Sequence, residues 1–190
     1  MSRLPAQTRE ILSPENQQIY DQIAAERKRV PSPIKVLLNS PEAALAVANL
    51  GTYVRFHTPF SSALRELVIL TVARWFDSQY EWCYHEPQAR AANADPDLIE
   101  QIRQGDIPMS GDTDELVAIR FTHELVSRCA ITDATFNAAV ELFGARGAID
   151  LIVLTGHYVL MAYSIAALDA DLEADVKPSL PIPAPIKKAA

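Results

Sequence analysis

The feature that most constrains the fold of this chain is the absence of any sustained strand pattern. No segment alternates apolar and polar residues with a period of two. Apolar residues instead recur at helical spacing, and a Ser or Asp followed by Pro opens three of these runs, at Pro14, Pro41 and Pro96. The sequence therefore predicts an all-α domain of about seven or eight helices.

Length and composition indicate one globular domain with an arm at each end. The chain has 190 residues, of which 49% are hydrophobic, so it can bury a sizeable core. We expect an N-terminal arm over 1–12, a helical domain over 13–170 and a Pro-rich C-terminal tail over 171–190. Such a tail is predicted to be extended or disordered, and it could wrap around a neighbouring subunit.

The first half of the domain should contain two helices separated by a short apolar segment. The first helix is predicted from Pro14 to about Arg29, where a Pro-rich stretch ends it. The segment from Ile34 to Leu38 should pack over the core. An alanine-rich helix should then follow from Pro41 to about Phe56. Further helices are predicted over 96–104, 114–129, 133–143 and 148–168.

The most apolar run of the chain lies between Ala148 and Leu168. It is nearly long enough to span a bilayer, but Asp150, His157 and Ser164 interrupt it and its charged flanks are weak. A buried central helix is therefore the favoured interpretation, and we predict no membrane partner.

Charge and motif content exclude several classes of function. The formal net charge of −7, without a basic block, argues against a nucleic-acid partner. The 6 glycines form no phosphate-binding motif, and the four histidines have no tight metal-ligand spacing, so neither a cofactor nor a metal is expected. Two cysteines make no disulfide framework and no signal peptide opens the chain, which predicts a cytoplasmic protein.

Two helical segments between Ala63 and Asn93 carry most of the candidate chemistry. Glu81 and His85 are four residues apart, so they lie on one face of the second helix. If the chain folds back between the two helices, Glu66 on the first helix comes within reach of His85. A histidine between two carboxylates is oriented and favoured in its protonated form, which suits a general acid or base. The spacing alone is equally compatible with ordinary surface charges around one hydrogen-bonded histidine.

Four further residues are candidates for substrate binding. Arg74 could hold a substrate carboxylate, or it could form a salt bridge within the helix pair, for example with Glu81. His57 lies in the loop before the pair, and His157 lies on the apolar helix together with Tyr158, which could also line a pocket. Tyr80 completes the set, although packing is an alternative role for it.

Pro87 falls inside the second of the two helices. It removes a helical hydrogen-bond donor, so it should either bend that helix just past His85 or end it early. A bend would open a pocket next to the histidine, whereas an early end would have no such effect.

Glu66 and the stretch YEWCYHEPQARAAN from Tyr80 resemble the carboxymuconolactone decarboxylase family, part of the alkyl hydroperoxidase D-like superfamily. The resemblance extends from about Ser13 to Leu168 and is strongest to longer single-domain members. It implies an alkyl hydroperoxidase D-like helical fold and a homo-oligomer, commonly a trimer or hexamer. It also implies that Glu66, Glu81 and His85 are catalytic.

The chain departs from the peroxidase branch of this superfamily, whose motif is Cys-x-x-Cys-x-x-x-His. When the motif histidine is matched to His85, Ser78 and Glu81 occupy the two cysteine positions, and Cys83 is in register with neither. The missing dithiol argues against thiol peroxidase chemistry.

The resemblance therefore implies a cofactor-free carboxy-lyase, or an enzyme with related proton-transfer chemistry, acting on a small acidic or lactone substrate. His85 is the candidate acid, oriented by Glu66 or Glu81. Two alternatives are a peroxidase that uses Cys83 as a lone nucleophile and a non-catalytic oligomeric binding protein.

Overall fold

The structure, a computed structural model, describes residues 2–25, 30–170, 172–173 and 175–181. These residues form no strand, and the predicted all-α fold is confirmed. A short 3₁₀ helix (Arg9–Ile11) precedes eight α-helices, whose bounds are α1 (Pro14–Ala25), α2 (Ser32–Leu37), α3 (Pro41–Phe56), α4 (Ser62–Trp75), α5 (Gln79–Ala91), α6 (Pro96–Gln104), α7 (Asp114–Arg128) and α8 (Asp133–Leu168). The end of the predicted first helix, residues 26–29, lies outside the described residues.

Helix α4 is the centre of the fold, because it packs against α5, α6, α7 and α8. Nearly all of its residues from Leu64 to Ala73 are buried, as expected for a helix that is apolar on every side. One face joins α7 and α8 through Val68, Val72 and Phe121, and another joins α5 and α6 through Leu70. Any charged side chain on α4 is therefore placed inside the protein.

The turn between α4 and α5 folds the two helices against each other. Asp77 adopts a left-handed conformation, with φ of 49°, and the Ser78 amide donates to the Ala73 carbonyl at 2.8 Å. Ser78 occupies the N-cap position of α5 but makes no side-chain capping bond. Helix α5 continues through Pro87 to Ala91, so Pro87 does not end the helix.

Helix α8 changes direction at Gly144, where φ is 71° and ψ is 174°. The predicted stop at this glycine is thus present, and a second helical stretch begins immediately after it. Helix α8 is long and apolar enough to cross a membrane by length and composition, but 44% of its most apolar window is buried inside the protein. The core helix of a soluble protein passes the same test.

Helices α1, α2 and α3 form a third layer against α8. Ile34 and Leu38 are buried there with Ala44, Ala48 and Met161, so the predicted apolar segment does cover the core, as a helix. The alanines of α3 let it pack closely in this layer. The N-terminal arm joins the same region, because the Gln7 amide donates to the Lys35 carbonyl at 2.9 Å.

The described part of the C-terminal tail lies against its own chain. Leu180 is buried with Trp82, Ile99 and Ile102, between α5 and α6. The Arg103 guanidinium donates to the Ser179 carbonyl at 2.6 Å. This described part contains no helix, and residues 171, 174 and 182–190 lie outside the described residues.

Candidate active site

The structure brings Glu66, Glu81 and His85 together in one buried cluster, which we call the Glu66–His85–Glu81 cluster. The Nδ1 atom of His85 lies 2.6 Å from Glu66 Oε2, and Nε2 lies 3.3 Å from Glu81 Oε2. All three side chains are buried. The His85 ring also packs edge-on against Tyr158 and Tyr84, each at a centroid distance of 5.1 Å. These contacts fix the ring in one orientation.

His85 is held as an imidazolium by its two carboxylate neighbours. A neutral imidazole carries a proton on only one nitrogen, so a carboxylate beside each ring nitrogen is favourable only when the ring is protonated. Burial alone would lower the pKa of His85, but Glu66 and then Glu81 outweigh it and raise that pKa to about 9. His85 therefore carries a proton at neutral pH and can deliver it.

Only part of this cluster faces open space. Glu81 and His85 line a small cleft, which we call the His85 cleft, whereas Glu66 lies behind the imidazole and outside the lining. The cavity volume is about 40 Å³, enough for a few water molecules. A larger ligand would require the walls to separate. Those walls come from α2 and the residues before it, from α3, from α5 and from α8.

Two of the four predicted substrate-binding residues line the His85 cleft. Tyr80 does so from α5 and His157 does so from α8. The phenol of Tyr80 donates to Glu173 Oε1 at 3.2 Å, and burial together with the Glu173 charge raises the pKa of Tyr80. Tyr80 is therefore a neutral hydroxyl at neutral pH.

The other two predicted substrate-binding residues lie elsewhere. The partner of Arg74 is Asp77 rather than Glu81, and Arg74 lines a separate cleft with Trp75 and His123. Glu66 and Arg74 are eight residues apart on α4, which separates them by about 12 Å along the helix. His57 is exposed at the end of α3, where its ring stacks on Tyr53.

The cleft contains a charged residue that was not among the predicted site residues. Arg55, near the end of α3, lines the His85 cleft, and its guanidinium donates to Gln88 Oε1 at 3.2 Å. The available signal was its position, because it is the only Arg or Lys in α3. Nothing in the sequence showed that this end of α3 packs beside α5.

Cys83 lies on the opposite side of α5 from His85. Each residue turns an α-helix by about 100°, so two positions separate these side chains by about 200°. The Cys83 sulfur contacts the Lys177 carbonyl at 3.5 Å and Ser179 Oγ at 3.4 Å, so it faces the C-terminal tail. The thiol and the imidazole consequently do not form a pair.

Known proteins support the fold and the family. Residues 41–124 match the carboxymuconolactone decarboxylase family, and no curated protein matches the sequence. The apo crystal structure of the debrominase Bmp8 has a TM-score of 0.67 at 14% identity, covering 85% of this chain and 87% of that chain. A cysteine-to-alanine variant of Bmp8 in complex with 2,3,4-tribromopyrrole has a TM-score of 0.63 at the same identity and coverage.

At 14% identity, the likeness to Bmp8 shows the fold alone. The segment that matches the family contains Glu66, Glu81 and His85 as well as Arg55. Within the described residues, no group of three or more His, Cys, Asp and Glu side chains could hold a metal ion. Residues 41–124 are thus similar to the carboxymuconolactone decarboxylase family, and the chain has an alkyl hydroperoxidase D-like helical fold.

Proposed function

We propose that this protein is a cofactor-free carboxy-lyase, or a closely related proton-transfer enzyme, that acts on a small acidic or lactone substrate. The observation that carries the proposal is the position of His85. It is protonated and buried between Glu66 and Glu81, and it lines the His85 cleft together with Glu81. A fixed proton donor of this kind is what carbanion chemistry without a cofactor needs.

The three side chains have different roles in this proposal. Glu66 is the positioning residue, because it holds Nδ1 from behind and fixes the ring, as the aspartate does in a serine protease triad. His85 delivers its Nε2 proton. Glu81, which faces the same space, either returns a proton to His85 or removes one from the substrate.

Decarboxylation would use this arrangement in two stages. First, the bond to the leaving carboxylate breaks, carbon dioxide departs and its bonding electrons pass into an enolate. The imidazolium of His85 stabilises the negative charge that builds on the enolate oxygen. His85 then transfers its proton to the enolate carbon and becomes neutral, and solvent restores its proton through Glu81. If Glu81 instead removed a proton from carbon, the same groups would catalyse isomerisation.

A thiol mechanism lacks this support. Bmp8 is a debrominase, and one of its structures carries a cysteine replaced by alanine. In this chain, however, the candidate Cys83 lies about 200° round α5 from His85, and it contacts the C-terminal tail. We therefore expect Cys83→Ser to retain the activity.

The test is release of carbon dioxide from 4-carboxymuconolactone by the purified protein. His85→Gln and Glu81→Gln should each lower the rate by about 10²–10⁴-fold, the usual worth of a general acid or base. Glu66→Gln should leave a residual rate and shift the pH profile toward lower pH, because one of the two charges that raise the pKa of His85 is lost. Cys83→Ser is the control.

Each other outcome has a defined meaning. Turnover that survives in His85→Gln but not in Cys83→Ser would reject the proposal in favour of a thiol enzyme. If carbon dioxide is not released, NMR should detect exchange of the acidic C–H hydrogen of a lactone carboxylate with deuterated solvent. Loss of that exchange in Glu81→Gln would identify the related proton-transfer reaction, and its absence in the wild type would favour a binding protein.

A further inference from the structure

Arg55 projects a positive charge into the His85 cleft without an acidic partner. Its guanidinium donates to the amide oxygen of Gln88, and the Gln88 amide nitrogen donates in turn to the Tyr84 carbonyl at 3.0 Å. Among the described residues, no carboxylate lies within ion-pair distance of Arg55. A neutral amide thus orients the guanidinium and leaves its charge uncompensated.

Four arginines elsewhere in the protein are paired with carboxylates. Arg74 contacts Asp77, Arg90 and Arg103 both contact Glu86, and Arg146 lies 3.6 Å from Asp150. Each of those four arginines thus has a carboxylate within ion-pair distance. Arg55 retains the planar fork of N–H donors that binds a carboxylate bidentately, and it faces a cavity.

The charges around the cleft make such a cation necessary for an acidic ligand. Glu66, Glu81 and a protonated His85 sum to one negative charge, which repels an anion. Arg55 is the only Arg or Lys among the described residues that line the cleft. With Arg55 included, the local charge is zero before an anion binds.

The chemistry decides which carboxylate Arg55 can hold. An ion pair with the leaving carboxylate would stabilise the substrate and would be lost as carbon dioxide forms, so it would raise the barrier. An ion pair with a carboxylate that stays on the molecule persists through the reaction and positions the reacting carbon beside His85. The Arg55 guanidinium, which lines the His85 cleft, is suited to bind the retained carboxylate.

We propose that Arg55 binds the carboxylate group that the substrate retains, and so anchors one end of the substrate while the other end reacts beside His85. The inference rests on the proposed function for the location of the reacting end, whereas the anchor itself can be tested by binding alone. Arg55 is then a specificity-determining residue, and Gln88 positions it.

The experiment measures binding of a matched pair of probes by calorimetry. The probes are γ-butyrolactone-γ-acetate, which carries the retained acid arm of 4-carboxymuconolactone without the leaving carboxylate, and its neutral methyl ester. Wild type should bind the carboxylate at least tenfold more tightly than the ester. Arg55→Gln should weaken carboxylate binding by about tenfold to a hundredfold, the usual value of a charged hydrogen-bonded pair, and leave ester binding unchanged.

Two further variants keep the test independent of folding and of overall charge. Arg55→Lys keeps the charge but loses the fork, so its carboxylate affinity should fall between those of the wild type and Arg55→Gln. Arg65→Gln removes the same charge from a residue that bonds Ser62 on α4, outside the cleft lining, and should bind both probes as the wild type does. The melting temperature of each variant verifies the fold.

The proposal is overturned if the wild type binds the carboxylate no more tightly than the ester. It is also overturned if Arg55→Gln weakens the binding of both probes equally, or of neither probe. The failure of this proposal and that of the carboxy-lyase function look different. If carboxylate binding depends on Arg55 but no carbon dioxide is released, the Arg55 anchor is supported and the lyase function is rejected. Carbon dioxide release that needs His85 but not Arg55 would support the lyase function and reject the Arg55 anchor.

Discussion

At the scale of single residues, the charge on His85 links stability to pH. Its pKa rises from an ordinary 6.5 to about 9 in the folded protein, because Glu66 and Glu81 outweigh the effect of burial. Between these values the folded state binds more protons than the unfolded state. The free energy of unfolding should therefore fall as the pH rises through this window, and the contribution should be fully present below it.

Urea unfolding just below pH 6.5 and just above pH 9 measures this effect. The loss attributable to His85 should be at most about 3 kcal/mol. The His85→Gln variant is the control, and its free energy of unfolding should vary less across the same window. Equal pH dependence in the two proteins would show that His85 is not protonated preferentially in the folded state.

The sequence predicts the residues of the site unevenly, and helix geometry explains why. Glu81 and His85 are four residues apart on one helix, so their proximity follows from local structure. Glu66 depends on how α4 and α5 fold against each other, and the family resemblance supplied it. The positions of Arg74 and Arg55 depend on long-range packing, which the sequence does not reveal. Helix α4 places Arg74 in a separate cleft, whereas α3 places Arg55 in the His85 cleft.

At the scale of helices, two glycines of α8 should respond oppositely to the same change. Gly144 has φ of 71° and ψ of 174°, a conformation that is costly for any residue with a Cβ atom. Gly156 is a helical residue without that constraint, and an added Cβ would meet nothing within 4 Å at either site. Contacts therefore play no part in the comparison.

Gly144→Ala should lower the free energy of unfolding by about 1–3 kcal/mol. Gly156→Ala should raise it by about 0.5–1 kcal/mol through a better helix propensity. Chemical denaturation of both variants beside the wild type provides the measurement. A neutral Gly144→Ala would mean that α8 runs straight through this position without the bend.

The sequence predicts helix ends better than it predicts what packs on them. Pro41 to Phe56 and Pro96 to Gln104 have the predicted bounds, because Ser-Pro, Asp-Pro and a following glycine are local signals. The segment from Ile34 to Leu38 showed its apolar character but not its helical form. Leu180 had no signal at all, since a single leucine among prolines does not reveal where it docks.

At the scale of the whole molecule, α8 leaves an apolar stripe exposed. Ile149, Ile152, Leu160 and Tyr163 recur near heptad spacing and are between 41 and 59% exposed. The homo-oligomer that the family resemblance implies would cover this surface with a second copy of the chain.

Light scattering of the purified protein tests this expectation. Wild type should be an oligomer, a trimer or hexamer by the family resemblance, and Ile152→Glu should shift it toward the monomer because a charge would be buried at the contact. Met109→Glu is a matched control, since Met109 is 43% exposed but lies in the loop before α7. A monomeric wild type would remove the stripe as a subunit contact.

The tail that follows α8 also affects when the site is completed. Glu173 accepts hydrogen bonds from Ser32 Oγ at 2.9 Å and from the Tyr80 phenol at 3.2 Å, so it ties α2 to a wall of the His85 cleft. A ribosome makes this segment after all eight helices, because synthesis begins at the N-terminus. The segments that carry the Glu66–His85–Glu81 cluster are thus made before the Glu173 hydrogen bonds to Ser32 and Tyr80 can form. The contacts of Glu173 that complete this side of the cleft can form only after the last helix has been made.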